Sequence, residues 1–380
     1  MKTLMKKIIL SLVAASAISN VSIVSARDSI SIVGSSTVYP FSTVVAERFG
    51  KSTDFKSPKV EANGSGGGFK LFCKGVGVAT PDITNSSRRM KVSEFKQCQK
   101  NGVEEIVEVL IGFDGIVLAN AKVSAPMQLS RQDIYLALAK VVPGPDGRMV
   151  DNPNKTWKDV NSELPPIKIE VLGPPPTSGT RDAFVELALE GGARTVPDIE
   201  ALYKLKADNV SDIERLVKKL GVESAWTAVL NKKGTQAKGK DVVKIIAHSV
   251  REDGAYIEAG ENDNLIVNKL VANPDALGIF GFSFLDQNSD KVQGSIIDGS
   301  PPSFDAISSG KYEVSRPLYF YVKKAHIGTV SGIEEFLAAF VSEDTIGEDG
   351  YLIDKGLISL DEDQYEKISS SAKALQNLAL

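Results

Sequence analysis

The 380-residue sequence holds little of the chemistry that most enzymes and metalloproteins depend on. It contains 2 His and 2 Cys. Two imidazoles argue against a His-rich metal site, and two thiols cannot form a four-thiolate zinc site. Lys and Arg total 44 against 48 Asp and Glu, so no basic excess exists to neutralise a nucleic-acid backbone. The G-x-S-x-G nucleophile elbow does not occur. Gly50-Lys51-Ser52 ends like a P-loop, but Val45 stands where that pattern needs Gly, and the segment closes a helix instead of opening one. Beyond residue 26 no run is long and apolar enough to span a bilayer. What is present is ordinary: 42% hydrophobic and 24% charged residues suit a globular chain, and the length favours two domains over one core.

The first 26 residues read as a secretory signal. Lys2, Lys6 and Lys7 form a positive start, Ile8 to Ile18 is apolar apart from two Ser, and Val24-Ser25-Ala26 offers a small-residue cleavage site. Ser19, Asn20, Ser22 and Ser25 interrupt what a retained anchor would need. No Cys near the cleavage point could carry a lipid. Removal of the segment leaves 354 residues, with 41 basic and 48 acidic side chains and a net charge of −7. Export to an oxidising compartment favours joining Cys73 to Cys98 over two buried free thiols.

Short apolar runs alternate with helical patterns. Strands are expected at Ile30–Val33, Val60–Ala62, Ile106–Ile111, Gly115–Ala119, Ile167–Leu172, Val242–Val250, Leu277–Phe282 and Pro317–Val322. Helices are expected from Thr37 to about Phe49, over Ser93–Asn101, Ser130–Ala139, Asn262–Ala272, much of Asp198–Leu230, and the tail beyond Ser331. Val142 to Pro153 reads as a surface loop. Such serial strand–loop–helix units predict an α/β fold with mainly parallel strands.

Three of the strand-to-helix junctions have one composition: Gly34–Thr37, Gly64–Gly68 and Thr177–Arg181. A helix start leaves backbone N–H groups without partners and carries partial positive charge, so it suits phosphate-like anions. Ser, Thr and Gly are also common caps and turn residues, so any single junction can be a cap alone. Repetition is what raises the binding reading above that alternative. Arg181 adds to it, because a cation in the first turn of a helix opposes the dipole unless an anion is bound nearby. Arg88 and Arg89 follow Asn85-Ser86-Ser87 in another polar loop. Arg grips oxyanions bidentately; Arg88 is the site candidate and Arg89 reads as a solvated surface charge. His248 and His326 read as structural.

These segments in order resemble the periplasmic phosphate-binding proteins of high-affinity phosphate ABC transporters. The motifs that carry the resemblance are Gly34-Ser35-Ser36-Thr37-Val38-Tyr39-Pro40-Phe41, Gly64-Ser65-Gly66-Gly67-Gly68-Phe69-Lys70 and Asp82-Ile83 leading to Ser86-Ser87-Arg88-Arg89. They continue through Phe113-Asp114-Gly115-Ile116-Val117, Ser178-Gly179-Thr180-Arg181-Asp182-Ala183-Phe184 and Ser315-Arg316-Pro317-Leu318-Tyr319. The resemblance implies a type II periplasmic-binding-protein fold, with hinge strands joining two α/β lobes around an anion cleft. Residues 27–118 would begin lobe I, 119–314 would form lobe II, and 315–380 would return to lobe I. It implies inorganic phosphate as ligand, permease subunits of an ABC transporter as partner, a monomer, no cofactor and no enzymatic activity. Carried over by motif, Ser35, Ser36, Thr37, Ser65, Ser87 and Arg88 would bind from lobe I, and Ser178, Gly179, Thr180 and Arg181 from lobe II. The Cys73/Cys98 pair resembles one branch of the family.

One departure stands out. Where the family usually has an Asp that accepts the proton of bound phosphate, this chain has Arg88. Asp114 is the first substitute for that acceptor, with Asp82 and Asp182 behind it. Other tetrahedral oxyanions such as sulfate or molybdate, a secreted phosphate-ester hydrolase, and an adhesive or signalling role are the competing readings.

Overall fold

A computed structural model of the protein describes residues 27–260 and 263–380. The expected signal segment and Asn262 lie outside the described residues. The chain opens with β1 (Ser31–Gly34), α1 (Tyr39–Ser52), β2 (Lys59–Ala62), α2 (Ser65–Phe72), β3 (Ile83–Ser86) and α3 (Val92–Lys100). It then enters one long strand, β4 (Ile106–Ala121). The second half contributes β5 (Val171–Gly173), α4 (Gly179–Phe184), α5 (Gly239–His248), β6 (Tyr256–Glu258), α6 (Asp263–Ala272), β7 (Leu277–Gly281) and β8 (Val292–Gly294). A last strand, β9 (Ser315–Lys323), and the C-terminal helices close the chain.

Among the described residues the main sheet has nine strands in the order β2-β1-β3-β9-β4-β7-β5-β6, with β8 pairing on β4. The outer strands on each side run parallel: β1 pairs β2 and β3, and β5 pairs β6 and β7. The central strands are antiparallel, with β9 against both β3 and β4, and β4 against β7. The sheet therefore has two parallel flanks joined through β4 and β9. The β4–β9 register slips between Leu318 and Tyr319. Gly112 of β4, at φ +142°, bends against the C-terminal segment; a Cβ there would stand 2.5 Å from the Ile358 carbonyl oxygen. Only glycine lets the two backbones approach this closely.

Each flank has its own core. Ile32, Val45, Phe49, Val109, Phe320 and Phe336 pack in the first, where Phe49 and Phe336 meet edge to face at 5.4 Å. Ile116, Leu118, Trp157, Val171, Phe184 and Ile279 pack in the second. Full burial of such side chains contributes about 1.5–3 kcal/mol each.

Five expectations change. The strands are not mainly parallel: the main sheet makes four parallel and four antiparallel pairings, because β4 and β9 run against their neighbours. Val242–His248 is not a strand but the larger part of α5, whose buried Val242, Val243, Ile246 and Ala247 recur at helical spacing. The two strands expected across 106–119 are one, bent at Gly112. The 142–153 loop contains a short antiparallel pair, Val141–Pro143 with Met149–Asp151. The 167–172 strand shortens to Val171–Gly173. Cys73 and Cys98 are joined by a disulfide that ties the end of α2 to α3. No helix among the described residues is long and apolar enough to cross a membrane.

Candidate functional site

The Ser/Thr/Gly junctions take their shape from close backbone packing. Gly34, at φ +130°, ends β1 directly against β3, and a Cβ there would lie 2.2 Å from the Asn85 carbonyl oxygen. The chain must then turn. The Ser35 amide donates to Asn85 O at 3.0 Å, and Ser35 Oγ accepts from the amides of Thr37 (3.2 Å) and Val38 (3.4 Å). That hydroxyl caps the turn before α1, while Ser36 is exposed and Thr37 is buried. On the other flank, Ser178 caps α4 by accepting from the Thr180 amide at 3.2 Å. Gly179 has open space beside its Cα.

These two starts meet across one cleft of about 460 Å³. Thr37, Phe41, Asp114, Gly179, Thr180 and Ser283 are among the residues that line it. Four of these, Thr37, Asp114, Gly179 and Thr180, are sequence-predicted site residues. Behind Thr37 and Asp114 lies Arg316 of β9, 7% exposed. Its Nη2 donates to Thr37 Oγ1 at 2.6 Å, its Nε to Asp114 Oδ2 at 3.3 Å, and its Nη1 to Glu186 Oε2 at 2.9 Å. Burial pushes the Asp114 carboxyl above its usual range, opposed by the Arg316 charge. Burial likewise raises Asp182, again opposed by Arg316.

Arg181 belongs to the neighbouring surface. It is 9% exposed and lines a second cavity of about 560 Å³ with Asp182, His248 and Tyr256. Its guanidinium stacks 4.2 Å from the Tyr256 ring centroid and donates to Pro174 O at 3.4 Å. Tyr256 Oη holds the same carbonyl at 2.6 Å. Arg181 has no ion pair among the described residues, so the buried cation is held by a ring and a carbonyl rather than by a carboxylate.

The remaining candidates are committed to one another. Ser65 Oγ lies 3.2 Å from Ser87 Oγ and accepts from the Ser87 amide at 3.1 Å, which docks the start of α2 on the end of β3. Arg88 is not an open cation: Glu94 of α3 takes it bidentately at 2.9 and 2.7 Å. Arg89 pairs with Glu108 from the surface, as expected. Asp82 drops out as a proton acceptor for a ligand. It is fully buried, accepts from Arg27 and from the Ser31 amide (2.7 Å), and faces His326 Nδ1 at 2.5 Å. His326 Nε2 in turn accepts from the Gly77 amide at 3.0 Å, so its proton sits on Nδ1 and points at Asp82. His248 pairs with buried Glu190 at 2.8 Å. Both histidines are structural.

Sequence reasoning missed Arg316, Glu186 and Ser283. Arg316 lay within a quoted motif, but its contact to Thr37 spans 279 positions, and no local pattern announces it. Ser283 donates to the Gly356 carbonyl at 3.2 Å, joining the cleft wall to the C-terminal segment.

Comparison with known proteins agrees with this architecture. The family model described as PBP superfamily domain matches residues 22–344. Protein SphX of Synechococcus elongatus is 28% identical over 305 residues, covering 77% of this chain and 69% of that protein. Phosphate-binding protein PstS of Staphylococcus saprophyticus is 26% identical over 320 residues, covering 82% and 75%. Among solved structures, a possible phosphate binding protein from Planctomyces limnophilus superposes with a TM-score of 0.66 at 23% identity, over 92% of this chain and 99% of that one. An ABC-type phosphate transport receptor from Vibrio cholerae gives 0.53 at 19% identity, over 87% and 100%. The chain thus belongs to the PBP superfamily.

Proposed function

We propose that this protein is an exported receptor that binds inorganic phosphate between its two lobes and delivers it to the permease of an ABC transporter. The observation that carries the reading is the cleft itself. Thr37 before α1 and Gly179–Thr180 at the start of α4 face the same space, with Asp114 beside them and Arg316 behind. Helix starts and hydroxyls supply donors to an oxyanion, and a guanidinium supplies fixed positive charge. Relatives named phosphate-binding protein support the ligand. On this reading, lobe I comprises 27–118 and 315–380, and lobe II comprises 119–314.

Asp114 is the acceptor for the proton that phosphate carries near neutral pH. Sulfate has none, and a carboxylate facing it unpaired would repel it. Export to the periplasm rests on the pattern of the first 26 residues and accords with the Cys73–Cys98 bridge. The role is one of binding and not of catalysis, by a monomer without a cofactor. Isothermal titration tests it: phosphate should bind with heat that survives excess sulfate. Heat from sulfate or molybdate alone would remove phosphate as the ligand, and turnover of a phosphate monoester would replace the receptor with a hydrolase.

A further inference from the structure

Arg316 has three oxygen partners, and they are not alike. Thr37 and Asp114 are largely buried and fixed by α1 and β4. Glu186 comes from the opposite lobe, is 48% exposed at its side chain, and gives Arg316 a single carboxylate oxygen. Holding a long exposed side chain in one geometry costs rotamer entropy and gains little Coulomb energy beside solvent. The contact is therefore the exchangeable one of the three.

The backbone places it deliberately. Glu186 sits in a π-helical stretch, Val185–Glu190, inserted between the α-helical turns Gly179–Phe184 and Gly191–Ala193. Such insertions are rare and occur mostly at functional positions, because they rotate the following side chains out of α-helical phase. Here the stretch begins about one and a half turns beyond Gly179 and Thr180, which line the cleft.

We propose that Glu186 is an exchangeable counter-ion: its carboxylate holds the Nη1 edge of Arg316 and latches the lobes together, and a tetrahedral oxyanion entering the cleft takes that edge in its place. The exchange replaces one negative charge by another, so the buried guanidinium keeps two anionic partners, the other being Asp114. Asp114 and Thr37 keep Arg316 oriented throughout. This inference rests on the oxyanion reading of the cleft.

Two variants and two measurements test it. Glu186→Gln removes the competing charge at constant shape and should tighten phosphate binding about 3- to 10-fold by titration. Glu186→Asp keeps the charge but shortens the side chain by a methylene, so it should lose the contact and bind more tightly as well. If Glu186→Asp behaves as wild type while Glu186→Gln tightens, the effect is a general field and the exchange is wrong. Unchanged or weaker binding in Glu186→Gln overturns it directly. Small-angle scattering in phosphate-free buffer reads the latch without a ligand: both variants should show a larger radius of gyration than wild type, and equal radii would refute the latch. Failure of wild type to bind phosphate would count against the phosphate reading alone, since the scattering comparison stands independently.

Discussion

Thr37 offers the sharpest test of the cleft. Its Oγ1 accepts from Arg316 Nη2 at 2.6 Å. A hydroxyl carries one proton and can accept as well as donate. With the guanidinium donating to the oxygen, that proton is left to point into the cleft that Thr37 lines. Thr37→Val removes both functions at nearly constant shape: the donor to the oxyanion, and the acceptor that orients Arg316. A hydrogen bond to a charged partner is worth about 1.5–3 kcal/mol, so phosphate affinity should fall roughly 10- to 150-fold. Thr37→Ser keeps the hydroxyl and loses only a methyl group, so it should bind much as wild type does. Titration of the three proteins, each first checked for folding by circular dichroism, decides the matter. If Thr37→Val binds as wild type, the hydroxyl is not part of the site. If Thr37→Ser is as damaged as Thr37→Val, the methyl group matters and the hydrogen-bond argument fails.

Two further outcomes follow from buried cations. Arg181 is buried against Tyr256 without an ion pair among the described residues, and a desolvated cation of that kind does not favour folding. Arg181→Gln should leave the melting temperature unchanged or raised; a lower melting temperature would make Arg181 a structural residue. Lys323 is fully buried, donating to Gly75 O (2.7 Å) and Thr80 Oγ1 (2.8 Å), and burial pushes its ammonium down to about 8. Below that pH it is protonated both folded and unfolded. Between about pH 8 and 10.4 the unfolded chain binds the extra proton, so stability should rise with pH across that window. Urea unfolding at pH 8 and 9.5 should show the rise in wild type and its loss in Lys323→Met; a flat wild-type profile would contradict the burial argument.

What the sequence revealed and what it hid divide along the reach of the interactions. The strand–loop–helix junctions were legible because their cause is local: Gly34 must be glycine against Asn85, Ser35 closes the turn before α1, and Ser178 caps α4. The disulfide was legible because one pair has only one pairing. The larger part of α5 misled because Val242, Val243 and Ile245 are β-branched, and a short apolar run looks alike in a buried strand and in the buried face of a helix. Arg88 differs for the opposite reason: its partner Glu94 lies only six positions away, near enough to neutralise the guanidinium without any ligand. Arg316 and Glu186 were invisible because 130 positions separate them, and charge alone says nothing about which carboxylate a guanidinium will meet. The part of the site that binds through backbone and hydroxyls could therefore be read from motifs. The part that balances charge between the lobes could not, since it exists only after β9 has returned beside β4 and brought Arg316 under Thr37.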